Sequence, residues 1–368
     1  MPTTDRMTNP DPTSPRTSPL AAQASAIIDA GARALASHAA EILLDEHPEA
    51  EAMFGRRAFR GWHDHLTQRL AELSASVAVG SPERFRRDVA WSVAAFAARR
   101  VPTQAVAHSI DALRVALADA LSPEAMAAVT PLLDAGVAAA AEPPAPMQRL
   151  SPDQPLGGLA LTMLEAVLSG ERRRAIGLLT DTADAGTPVA ELYEQVLLPV
   201  EAEIGTMWHL GEISIPEEHA ATEATRSAMA VLCHRAAPAQ TQPGTVLVGA
   251  VEGDRHDIGP RAVADLVELA GFRVICLGGD VPVRDLLQAC SDFEATALIL
   301  SATMTVHLPA LAKAIDAVRV MQHEQERSLR IIVGGQAFAS DPALSDRLGA
   351  NGYAASPRDA IGLLRSDG

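Results

Sequence analysis

The chain has 368 residues, enough for two or three domains, and is 48% hydrophobic with only 3% aromatic residues. Its formal net charge of −16 argues against direct binding to nucleic acid or to an anionic membrane. No apolar run approaches the roughly 20 residues that a membrane helix needs, and the polar N-terminus has no signal-peptide core. The three cysteines, Cys233, Cys276 and Cys290, read as reduced thiols, so the expected compartment is the cytoplasm.

Residues 1–20, rich in Pro, Thr and Ser, read as a disordered leader. Apolar periodicity from Ala21 to Ala140 is helical throughout and predicts five or six helices, a bundle or globin-like domain. The stretch A-A-E-P-P-A-P-M-Q-R-L-S-P-D-Q-P marks a Pro-rich linker over 141–156. Residues 157–238 predict a four-helix bundle with breaks near Gly170, Gly186 and Gly211. From 243 to 368 apolar strands alternate with helices: strand 245–251, helix 258–270, strand 272–277, helix 283–290, strand 296–301, helix 307–321, strand 329–334 and a weaker final pair. That pattern predicts a doubly wound α/β domain with five parallel strands.

The chemistry concentrates in V-E-G-D-R-H-D-I-G, Val251 to Gly259, a tight loop between the first strand and its helix. Open parallel sheets bind ligands at this carboxyl edge. Asp254, two residues before His256, can hold one ring nitrogen while the other faces a metal, and Gly259 lets a bulky ligand approach the backbone. Ser301-Ala302-Thr303 ends the next strongly apolar strand, and Gly334-Gly335 the one after it.

The series Asp-x-His-x-x-Gly, Ser-x-Thr and Gly-Gly resembles the cobalamin-binding domains of the Rossmann-like class. The resemblance implies that His256 is the lower axial cobalt ligand with Asp254 behind it. It further implies that Ser301 and Thr303 line a pocket for the cofactor's displaced tail, and that Gly334 and Gly335 leave room for it. Many corrinoid methyl carriers have Leu where Thr303 stands.

In the helical segment before it, W-H-L-G-E-I-S-I-P-E-E-H (Trp208 to His219) resembles the cap of adenosylcobalamin-dependent photoreceptor repressors. That likeness implies Trp208 against the adenosyl group, Glu218 and His219 lining the upper pocket, and His209 in reserve as an upper cobalt ligand after light. The domain order, a helical module before a cobalamin module, is similar to photocobilins, which add a biliverdin-type bilin. Candidate bilin contacts are Trp62, His63, His65 and Trp91, with Arg99 and Arg114 among several arginines. Without a cysteine in that domain, the bilin would be held non-covalently.

The expectation is thus a sensor and not an enzyme: an adenosylcobalamin-dependent photoreceptor, possessing small-molecule chromophores and acting as a homo-oligomer or on a downstream signalling protein. The alternative is a corrinoid methyl carrier serving a methyltransferase, with a cap that opens for partner enzymes and makes no demand for Trp208 or His219. A third reading is a regulatory subunit that senses cobalamin without light.

Overall fold

A computed structural model describes residues 18–366 except 145 and 148, so all but the last three positions of the expected leader lie outside the described residues. Those three already belong to the first helix: Ser18 caps it by accepting from Ala21 N (3.1 Å), and Pro19 fills its first position. The same Ser-then-Pro signature opens several other helices. Ser122 and Ser356 cap through their hydroxyls, and Ser214 forms a reciprocal box with Glu217.

The N-terminal region is helical: α1 (Pro19–Glu46), α2 (Ala58–Ala78), α3 (Pro82–Ala98), α4 (Gln104–Ala120) and α5 (Pro123–Ala141). Small residues such as Ala24, Ala36, Ala39 and Ala40 are fully buried and let helices approach closely. Trp62, Leu66, Leu70, Phe85, Ile110 and Leu113 fill the shared core. α5 corrects one expectation. It is long and apolar enough to cross a membrane (19 residues, mean hydropathy 1.3), because small alanines carry the apolar character that bulky residues usually announce. Here Val129, Leu132 and Leu133 are packed into the domain core.

The second helical unit comprises α6 (Gly157–Leu168), α7 (Arg172–Asp184), α8 (Val189–Leu192), α9 (Leu198–Leu210) and α10 (Ile215–Arg235). A π-helical turn, Tyr193–Leu197, joins α8 to α9. Gly211 ends α9 in the left-handed region (φ 77°), as a C-terminal glycine does. The preceding linker is pinned to α9, since Arg149 pairs with Glu203 (2.5 Å) and Glu212 (2.9 Å).

The C-terminal domain is a five-stranded parallel sheet in the order β2-β1-β3-β4-β5. Its strands are β1 (Thr245–Val251), β2 (Arg273–Val281), β3 (Ala297–Ser301), β4 (Arg330–Gly334) and β5 (Gly352–Ala354). Between and after them run α11 (Ile258–Leu269), α12 (Val283–Asp292), α13 (Leu308–Glu324), α14 (Leu344–Arg347) and α15 (Pro357–Arg365). All seven residues of β1 are buried, as helices on both faces require. Alternation sends Val246 and Val248 toward α11 and α15, and Leu247 toward α12 and α13. β2 runs four residues beyond its expected end. The extension pairs Gly249 with Gly278 and Val251 with Val281 across register shifts. Strand order reverses at β1 and β3, which places the ligand-binding crevice between their carboxyl ends.

Candidate functional site

The loop from β1 to α11 is built around Asp254, whose carboxylate is wholly buried. Oδ1 accepts from His256 N (3.1 Å) and Nδ1 (2.8 Å). Oδ2 accepts from Thr303 N (2.7 Å) on the loop after β3 and lies 3.2 Å from His307 Nδ1. One carboxylate thereby ties the two sides of the crevice together. Burial alone would raise its pKa, but the His256 and His307 contacts outweigh that and hold it below the usual carboxylate range. In return, its hydrogen bond raises the pKa of His256. The His256 side chain is 58% exposed, and among the described residues no hydrogen bond occupies its Nε2.

Three residues that sequence reasoning missed support this loop. Asp280, at the end of β2, accepts from Gly253 N (2.7 Å) and donates its own N–H to Asp254 O (2.7 Å). His307 holds the far carboxylate oxygen. Arg226 on α10 donates to Asp257 Oδ1 (2.7 Å), joining the helical cap to the loop. All three lie far in sequence from His256 and reach the loop only through tertiary packing.

Above the loop a cavity of about 1160 Å³ opens between sheet and cap, larger than common small-molecule pockets. His256, Gly259, Ser301, Thr303, Gly334 and Gly335 line it from the sheet side, and Trp208, Glu218 and His219 from the cap. Glu201, also missed, lines the roof, with Oε2 accepting from the Thr222 hydroxyl (3.1 Å) and Oε1 buried without a partner among the described residues. A Cβ at Gly259 or at Gly205 would meet nothing within 4 Å, so these glycines widen the cavity and are not needed for packing. Gly335 is different: at φ 98° its Cβ would meet Ala302 O at 2.3 Å. His256, with one imidazole nitrogen open to a large cavity and the other fixed by a carboxylate, would suit as a ligand to the cobalt of a corrinoid.

His209 does not join this group. Its ring stacks on Trp91 (centroids 3.9 Å apart) and its Nε2 contacts Trp91 O at 2.7 Å, because α9 turns it toward the N-terminal domain. The bilin candidates do not converge on one pocket either. Trp62 is core, its indole N–H donating to Ala50 O (3.0 Å). His63 stacks on Phe59 near the surface, and Arg114 pairs with Asp134. Trp91 and Arg99 hold His209, and His65 lines a separate small cavity. The three cysteines are free thiols.

Two family descriptions match: a B12 binding domain over residues 244–361, and a second B12 binding domain over residues 159–232. These matches support a cobalamin cofactor for the segments they cover, in a chain whose helical N-terminal region precedes a parallel-sheet, Rossmann-like domain. It is similar to dimethylamine corrinoid protein 3 of Methanosarcina acetivorans, 29% identical over 206 residues, which span 55% of this chain and 94% of that protein. It is also similar to the trimethylamine corrinoid protein of Methanosarcina barkeri, 28% identical over 209 residues, 55% of this chain and 93% of that one. The structure of the Methanosarcina barkeri monomethylamine corrinoid protein superposes with a TM-score of 0.50 at 22% identity, covering 57% of this chain and 98% of that one, which shows the shared fold.

These relatives overturn the expected function. They are methylamine corrinoid proteins, so the expected photoreceptor, with its bilin and its chromophore and signalling partners, is not what this fold's relatives are.

Proposed function

We propose that this protein is a corrinoid methyl carrier that serves a partner methyltransferase and is not itself a catalyst. The observation that supports it best is His256: one nitrogen clamped to a buried carboxylate, the other open to a cavity large enough for a corrin ring. A bound corrinoid supplies a cobalt centre that can accept a methyl group and give it up.

The chain's own residues do the rest. Asp254 keeps the proton of His256 on Nδ1, so Nε2 is presented as a lone pair, and the carboxylate makes that nitrogen more basic. Thr303 N–H and His307 keep Asp254 from turning away. Ser301, Gly334 and Gly335 shape the slot between β3 and β4 where a tail would enter. Trp208 and Ile215 cover the roof with apolar area, while the Arg226–Asp257 pair holds the cap over the loop.

The test is methyl transfer. Reduced, corrinoid-loaded protein is expected to be methylated by a methylated amine only when a methyltransferase for that amine is added, read from the visible spectrum of the corrinoid. Full corrinoid loading with no methyl uptake from mono-, di- or trimethylamine in the presence of their methyltransferases would contradict the proposal.

A further inference from the structure

Two histidines and a glutamate, all outside the corrinoid site, meet at one corner of the N-terminal domain. His47 ends α1, its backbone N–H donating to Leu43 O (2.9 Å). Pro48 then opens a short 3-10 turn, Pro48–Met53, which brings Glu49 back beside it, so that His47 Nδ1 and Glu49 Oε1 are 3.3 Å apart. The turn is itself anchored, because Ala50 O accepts from the buried Trp62 indole N–H (3.0 Å). His108 comes from α4, which buries Val106, Ile110 and Leu113 in the core it shares with α1 and leaves His108 at the margin.

The rings of His47 and His108 stack face to face, their centroids 3.6 Å apart and their planes 13° from parallel. One donor atom from each of the three residues lies within 4.8 Å of the other two. Hydrogen bonding does not account for the third member. His108 Nδ1 is 3.9 Å from Glu49 Oε1, beyond bonding distance, and no other side-chain hydrogen bond holds it among the described residues. Charge does not account for the stack either, since two protonated rings at that separation repel each other. All three donors can be reached from solvent, with side-chain exposures of 30% for His47, 21% for His108 and 66% for Glu49.

We propose that His47, Glu49 and His108 form a binding site for a divalent metal ion of the zinc class, with water in the remaining position. In a tetrahedral zinc site with bonds of about 2.0–2.1 Å, neighbouring donor atoms stand about 3.3 Å apart. His47 and Glu49 already have that spacing, so His108 is the donor that moves in. The stack then opens like a book hinged on its two Nδ1 atoms, so that both lone pairs meet at one point. Two imidazoles with one carboxylate suit zinc and its neighbours, whereas magnesium and calcium take oxygen donors. The ion takes both rings as neutral ligands, which removes their repulsion, and it clamps the end of α1, the turn and α4 together.

The test is calorimetric titration of the untagged full chain, stripped of metal and without corrinoid, with zinc chloride and with magnesium chloride. Omitting the corrinoid keeps the outcome separate from the methyl-carrier reading. The expected result is a saturable zinc site of micromolar affinity or tighter, no magnesium binding, and a thermal unfolding midpoint that rises with zinc. The same site is expected to persist in His256→Ala, which removes the other exposed imidazole held by a carboxylate. His47→Ala and His108→Ala are each expected to weaken zinc at least about tenfold, because each removes one of three donors. Glu49→Gln, at an exposed side chain where folding is not at stake, is expected to weaken zinc as well, with an unchanged circular dichroism spectrum. No saturable zinc binding, affinity undiminished in His47→Ala, His108→Ala and Glu49→Gln, or loss of the site in His256→Ala alone would overturn the proposal.

Discussion

The floor and the roof of the corrinoid cavity are built on opposite principles. The floor is over-determined: one buried carboxylate takes contacts from His256, Thr303 and His307, and Asp280 braces the same loop from β2. The roof's lining side chains are more exposed, although the cap itself shares a core with α11 and is tied to the sheet domain by Tyr193–Asp265 (2.7 Å) and Arg358–Glu194 (2.6 Å). Trp208 is half exposed, the His219 side chain is 73% exposed, and the Arg226–Asp257 pair is the described ion pair joining α10 to the floor loop. A metal-ligating side chain gains from a fixed position, and the buried contacts of the floor supply one.

Breaking the floor should cost the most. Asp254→Ala leaves His256 and the Thr303 N–H without their acceptor in a buried site. A loss of about 2–4 kcal/mol in stability is expected, together with roughly 10- to 100-fold weaker corrinoid binding. Chemical denaturation and equilibrium titration with hydroxocobalamin check the two effects. Gly335→Ala is next. With φ at 98° and Ala302 O only 2.3 Å from the new Cβ, about 1–3 kcal/mol should be lost, read by thermal unfolding.

A smaller effect sharpens how the N-terminal domain sits on the sheet domain. Asp88 on α3 accepts from the Thr305 hydroxyl (3.0 Å), two residues beyond Thr303, and Arg84 donates to Ser340 (2.8 Å). Burial, reinforced by Glu72 and opposed by the Thr305 hydrogen bond, Arg69 and Arg84, raises the Asp88 pKa to about 7. A carboxyl raised in the folded state binds its proton more tightly there than in the unfolded chain. Its contribution is therefore complete below about pH 4 and is lost as pH rises toward 7. Asp88→Asn should flatten that fall in stability between pH 4 and 7, measured as the difference between wild-type and variant denaturation curves. The opposite trend would show that Asp88 is ionised and paired in the folded protein. The smallest effect is expected in the roof: Trp208→Phe, at a half-exposed site, should change stability by less than about 1 kcal/mol.

What the sequence made legible follows the same division. The loop Asp254–Gly259 could be read because its ligand and the ligand's orienting carboxylate are two residues apart, and flanking strands fix where the loop lies. Thr303 was placed in the site through its side chain, yet its backbone N–H is what grips Asp254. Asp280, His307 and Arg226 reach the loop through tertiary packing, so no spacing rule announces them. In the N-terminal domain, aromatic and basic residues were read as one pocket because composition carries no direction. Helix phase sends Trp62 into the core and Trp91 out to meet His209. His209 was assigned to the cobalt side for the same reason, although its neighbour Trp208 does line the cavity.

The central claim is that His256 supplies the lower nitrogen to cobalt, and electron paramagnetic resonance of the corrinoid in its paramagnetic form tests it most directly. With unlabelled cofactor and uniformly ¹⁵N-labelled protein, the superhyperfine pattern from one axial nitrogen should change from three lines to two, and His256→Ala should remove that label-sensitive coupling. A three-line pattern that ignores the protein's label would mean that the cofactor keeps its own base, and would contradict this account of the site.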